Sequence, residues 1–152
     1  MYVSAVNKLL ADKSEIIANF ELMRRVLFDT TALEDERAGL QGEIAVVAEM
    51  IQKCVEENAR VALDQAEYQQ RYGGLAERFD MVKARLGEVT EEISSKQARG
   101  ELVGAFVEEL GRQDELITEF DERLWYSLLD YVTVYGEDDV RFTFKDGTEI
   151  RA

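Results

Sequence analysis

The stretch LEDERAGLQGEIAVVAEMIQKCVEENARV, residues 33–61, places Leu33, Leu40, Val47, Cys54 and Val61 at intervals of seven. Ile44, Ile51 and Asn58 each follow four residues after a member of that row, which completes an a/d heptad seam with only Arg37 out of character. Further on, YQQRYGGLAERFDMVKARLGEVTEEI, residues 68–93, steps through Tyr68, Tyr72, Leu75, Phe79, Val82, Leu86, Val89 and Ile93 in alternating fours and threes. Apolar spacing of this kind, sustained over several heptads, predicts a coiled coil. Each seam covers roughly 30 residues, or about 45 Å of helix at 1.5 Å per residue. Between them Asp64 is a good N-cap, with Glu67 three residues on. Two matched arms around a cap predict an antiparallel hairpin with its tip near residues 61–65. A parallel dimer of one long helix is the alternative.

Outside the seams, residues 3–28 have helical spacing (Val6, Leu9, Leu10, Ile16, Ile17, Phe20, Met23, Leu27), and Thr31 with Glu34 reads as a capping box that opens the first arm. Leu102, Val103, Phe106, Val107 and Leu110 continue the second arm. They are expected to pack on Ile16, Phe20, Met23 and Leu27, with Gly111 as a C-cap. Asn58 at a d position is expected to fix register at some cost in stability.

Near the C-terminus the period changes from helical to two. Thr118 and Asp121 precede a short helix, expected over about 119–130, with Leu124, Trp125, Leu128 and Leu129 on its apolar face. Tyr131 to Tyr135 and Val140 to Phe144 then alternate as strands, and Asp146-Gly147 suits a type I′ turn into a third strand over 148–151. The expected architecture is mainly α: a long antiparallel coiled-coil hairpin on a small helical base, with a C-terminal three-stranded β-meander. Its parts are a base helix (1–30), the hairpin (31–96), a continuation of the base (97–117), and a short helix plus meander (118–152).

The 152 residues contain no proline, no histidine and one cysteine, with a formal charge of −14. Absent proline suits long helices. Without histidine, the histidine-activated nucleophiles and HExxH zinc sites are excluded. A lone cysteine excludes an internal disulfide and a cysteine-rich zinc site. So acidic a chain should repel nucleic-acid phosphates unless its bases cluster. The acidic pairs Glu56-Glu57, Glu91-Glu92, Glu108-Glu109 and Asp138-Asp139 read as solvated faces. No catalytic, cofactor or metal residues are expected, and the chain reads as an interaction module in the cytoplasm, with no membrane segment. Two surfaces stand out. Val61, Ala62, Leu63, Tyr68 and Tyr72 make the tip unusually apolar, either to cap the seam internally or to form an exposed patch for another protein surface. Arg123, Arg141 and Lys145, with Arg151, are the nearest thing to a basic, DNA-facing patch, but four scattered bases among so many acids read first as a solvated sheet face.

Several segments also carry a resemblance. They are Ala5-Val6-Asn7-Lys8-Leu9-Leu10, Glu57-Asn58-Ala59-Arg60, Tyr68-Gln69-Gln70-Arg71-Tyr72, Leu116 through Trp125, and the ending Val140 through Ile150 with FTFKDGTEI at its centre. Together they resemble the C-terminal end of large serine recombinases of Gram-positive bacteria and their mobile elements. The resemblance implies a fragment of a larger site-specific integrase: the coiled-coil arm inserted in a zinc-ribbon domain, plus the closing strands of that domain. It implies that arms on different subunits touch through their tips to assist synapsis and to control direction, with weak self-association of the fragment. DNA binding, the serine nucleophile and zinc would belong to the parent protein, since neither a catalytic domain nor zinc-ligand cysteines occur in this sequence. A free-standing coiled-coil scaffold or adaptor is the alternative.

Overall fold

The computed structural model describes residues 1–61 and 64–152. The chain is mainly helical and ends in a three-stranded antiparallel sheet. The helices are α1 (Tyr2–Ala11), α2 (Lys13–Leu27), α3 (Thr31–Arg60), α4 (Gln65–Arg112) and α5 (Glu122–Leu128). The strands β1 (Leu129–Gly136), β2 (Asp139–Phe144) and β3 (Glu149–Arg151) lie in the order β1-β2-β3. Contacts divide the chain into two units, residues 30–95 and residues 1–29 with 96–152.

In the 30–95 unit, every a and d position from Leu33 to Asn58, Arg37 included, is buried or half-buried. On α4, Val82, Val89 and Ile93 are buried and Tyr68, Leu75, Phe79 and Leu86 half-buried, while Tyr72 stays exposed. Ion pairs link the two helices at Glu36–Arg85, Glu43–Arg78 and Glu57–Arg71, each at 2.8 Å. Residue numbers on α4 therefore fall as those on α3 rise. Asp64 caps α4, its Oδ1 accepting from the Ala66 and Glu67 amides at 2.8 and 3.4 Å. The cap of α3 sits one residue earlier than the capping-box reading, at Thr30. The Thr30 hydroxyl donates to Glu34 Oε1 at 3.2 Å and the Glu34 amide to the Thr30 carbonyl at 2.8 Å, so the first turn closes on Thr30 and Thr31 becomes helical.

The other unit holds a core of Tyr2, Ala5, Val6, Leu9 and Leu10 from α1, Phe20 from α2, and Phe106, Val107 and Leu110 from α4. Leu124, Leu128, Leu129, Phe142 and Phe144 complete it. The base helix expected over 1–30 is two helices. Asp12 breaks it with φ −98° and ψ 6°, its amide donating to the Leu9 carbonyl at 3.1 Å. Asp favours helix ends over interiors, and Lys13 just beyond it reaches the Gln113 carbonyl at 2.5 Å. Met23, Leu27 and Leu102 were expected at the α2–α4 contact but are about half exposed. The contact runs instead along glycines. A Cβ built on Gly100 would lie 3.3 Å from Phe28 Cβ, on Gly104 3.9 Å from Phe20 Cζ, and on Gly111 3.8 Å from Ile17 Cδ1. Aromatic and aliphatic side chains rest on bare backbone there, which leaves Met23 and Leu27 beside the contact. Gly111 lies within α4, not after it.

The helix expected over 119–130 is shorter, because Asp121, not Thr118, is the cap, accepting from the Leu124 amide at 3.0 Å. Leu129 already pairs with Phe144 in the sheet, which ends the helix early. The β2–β3 connection is not a type I′ turn. Only Gly147 has positive φ, at 92°, whereas type I′ needs it at both central residues. The Gly147 amide donates to the Phe144 carbonyl at 2.8 Å and the Phe144 amide to the Thr148 carbonyl at 2.9 Å, a three-residue loop with glycine in the left-handed position. Asp146 holds it by accepting from the Thr148 amide at 3.0 Å.

Candidate functional site

At the end of the α3–α4 pair, Val61 closes α3 with its amide donating to the Glu57 carbonyl at 3.0 Å. Its side chain is 58% exposed and that of Tyr72 39%, large values for apolar positions in a seam. Tyr68 and Tyr72 occupy the first two turns of α4 with ring centroids 6.0 Å apart. Ala62 and Leu63, the other two tip residues read from the sequence, lie outside the described residues. The surrounding polar groups hold this end in place. Asn58 Oδ1 accepts from Gln65 Nε2 at 3.1 Å, which ties the polar d position to the start of α4. Arg71 adds its ion pair to Glu57 one turn further in. The surface offers apolar and aromatic area, suited to burial against a partner.

The basic residues are arranged differently. Arg123, on α5, donates to Glu109, and Glu109 also accepts from Gln113 Nε2 at 2.9 Å. Glu109 is buried, so the reading of Glu108-Glu109 as a solvated pair holds only for Glu108. A buried carboxylate needs such partners, because stripping its water without replacement is costly. Arg141, on β2, donates to Asp139 Oδ1 at 3.0 Å and Glu149 Oε1 at 3.0 Å, and its guanidinium lies 4.7 Å over the Tyr135 ring. Hydrogen bonds to Asp139 and Glu149 hold the Arg141 pKa well above its ordinary range, and the Arg141 bond holds the Asp139 carboxyl below its own. Lys145 lies past the end of β2 and donates to the Tyr126 carbonyl. Arg151 pairs across the sheet with Arg141 and reaches the Asp138 carbonyl at 2.9 Å. Arg141 and Arg151 are thus brought together, each already engaged by acceptors, while Arg123 stands apart on its helix. A phosphate would have to compete with carboxylates at Arg123 and Arg141.

Three arrangements in the 1–29 and 96–152 unit escaped the sequence reading. Asn7 Nδ2 donates to the Ile117 carbonyl and its Oδ1 accepts from the Ile117 amide, both at 2.9 Å, pinning the segment between α4 and α5 to α1. The available signal was a polar residue beside Val6, Leu9 and Leu10. Tyr2, Phe120 and Trp125 form a mutual ring cluster with centroids 5.1 to 5.6 Å apart, and Tyr2 also meets Phe142. Burial, and secondarily the Asp121 carboxylate, push the Tyr2 phenol up to about 12. An open groove in the same unit is lined by Phe20, Arg24, Phe28, Lys96, Gly100 and Val107 among others.

Among the described residues no His, Cys, Asp and Glu cluster could hold a metal ion, and no helix is long and apolar enough to cross a membrane. No family model, curated protein or solved structure matches the chain.

Proposed function

We propose that residues 30–95 act as an antiparallel coiled-coil arm that makes protein contacts through its end, and that the chain is the non-catalytic arm-bearing part of a large serine recombinase. The observation that carries the contact reading is the exposure of Val61 and Tyr72 at the end of the helical pair, whereas the other described seam residues are buried or half-buried. The ion pairs 36–85, 43–78 and 57–71, with numbers running oppositely on the two helices, support the hairpin. The recombinase reading rests on the resemblance of the segments quoted above, the FTFKDGTEI ending most of all. In it, tips on subunits bound to two DNA sites associate weakly. The association strengthens when DNA holds the subunits together, because the second contact becomes effectively intramolecular.

The test uses the gene product that carries this chain. Val61→Glu together with Tyr72→Glu is expected to reduce pairing of two cognate DNA sites in a gel-shift synapsis assay, with single-site binding near normal. Undiminished synapsis removes the tip from the mechanism. A gene product that neither binds nor recombines DNA removes the recombinase reading and leaves the scaffold.

A further inference from the structure

β1 is an edge of the sheet, and among the described residues its ladder partner is β2 alone. At eight residues it is much the longer edge, since β3 has three. Edge strands are usually blunted by brevity, proline or lysine, because open backbone groups recruit another strand. β1 is long and carries neither proline nor lysine; its pairing with β2 shifts register between Leu129 and Tyr131 and again between Val134 and Gly136, which leaves Tyr131 to Val134 as its regular stretch. Tyr131, Val134 and Tyr135 on it are 55%, 69% and 64% exposed.

The sequence of this edge reads identically in both directions, Tyr131-Val132-Thr133-Val134-Tyr135. An antiparallel pair of identical strands centred on Thr133 would set Tyr131 opposite the partner's Tyr135, Val132 opposite the partner's Val134, and Thr133 opposite its own copy. Aromatic and β-branched cross-strand pairs are the favourable ones. A two-fold axis through one residue is the natural symmetry of a homodimer. Charge points to the same place. Two copies at −14 each repel over most of their surface, yet these five residues are uncharged. Behind them the Arg141 guanidinium stacks on Tyr135 and supplies positive charge next to the edge.

We propose that the β1 edge is a self-association surface at which two copies of this chain pair antiparallel about Thr133, merging two three-stranded sheets into one. This inference is independent of the recombinase reading and of the arm.

Sedimentation equilibrium of the full chain over a concentration series tests it. The unmodified protein is expected to form a reversible dimer. Thr133→Lys places like charges face to face on the two-fold axis and is expected to weaken the dimer about tenfold or more. Thr133→Glu should do the same, and an equimolar mixture of the two variants should recover a heterodimer, because Lys then faces Glu. Hydrogen exchange on the unmodified chain gives a readout free of any folding defect. β1 amides directed away from β2 should gain protection as concentration rises. A monomer at all concentrations, full dimerisation of Thr133→Lys, no heterodimer from folded variants, or no gain in protection would each overturn the proposal.

Discussion

The two units of this chain are stabilised in different ways. Among the described residues, the 30–95 unit buries five apolar side chains, Val47, Cys54, Val82, Val89 and Ile93, in a single row. The 1–29 and 96–152 unit buries fourteen, drawn from α1, α2, α4, α5 and two strands. One unit is a repeating local pattern in which each turn resembles the next. The other closes contacts between residues more than a hundred positions apart, as at Asn7 and Ile117. A seam spreads its stability thinly and evenly, whereas a closed core concentrates it in a few residues with many neighbours.

The largest expected effect belongs to that core. Phe106→Ala removes a ring with no exposed surface and should cost about 3–5 kcal/mol. Trp125 is the only tryptophan and lies in this unit, so its fluorescence during urea unfolding is the measurement. Val89→Ala, fully buried in the seam, should cost about 2 kcal/mol from the lost methyls and residual cavity, read by helical circular dichroism. If Val89→Ala proved the costlier of the two, the contrast between row and core would be broken.

Glycines sharpen the contrast at a smaller scale. A Cβ at Gly73 meets nothing within 4 Å, so Gly73→Ala should stabilise its helix by about 1 kcal/mol in thermal melts. Gly100→Ala adds the same helix propensity, but its methyl presses on Phe28 at 3.3 Å. Its gain should be smaller or reversed. Effects of pH act in opposite directions on the two units. The Tyr2 phenol is raised from 10.0 to about 12, so the unfolded chain releases this proton first. The stability it lends is present below its unfolded pKa and lost as pH climbs through the folded one. Tyr2→Phe should flatten the alkaline fall in the Trp125-detected melting temperature. Glu36 is held below its ordinary value of 4.5, chiefly by the Arg85 hydrogen bond. Its contribution is present at neutral pH and lost on acidification, and Arg85→Ala should remove that acid dependence from the helical signal.

The same contrast explains what could be read in advance. A seam is written in a three- and four-residue period, and Asp64 and Glu67 mark a cap locally, so helix identity and the positions to be buried were legible there. The alternating strands were legible for the same reason. The break at Asp12 was not, because its flanking helices continue one apolar period, and Lys13 finds its acceptor on Gln113 at the far end of α4. Met23 and Leu27 look like core by spacing alone. They are left out because glycines at 100, 104 and 111 draw Ile17, Phe20 and Phe28 to the backbone, a choice made by the opposite helix. Glu109 reads as one more surface acid until Arg123, fourteen residues on, is folded against it. At the candidate site, Val61 and Tyr72 are exposed and Tyr68 is half-buried, while Ala62 and Leu63 lie outside the described residues. That the bases of the sheet were already engaged by Asp139 and Glu149 depended on cross-strand register, which composition does not contain.

Cys54 has a practical consequence for the α3–α4 pair. It is the only sulfhydryl in the chain and is 1% exposed within the seam. A thiol-labelling reagent can reach it only during moments when α3 and α4 stand apart. With reagent in the regime where reclosing outruns reaction, the labelling rate divided by that of the unfolded chain is the fraction of time the seam is open. The native sequence thus carries its own stopwatch for strand-free breathing of the helices. Anything that holds α3 and α4 together should slow it.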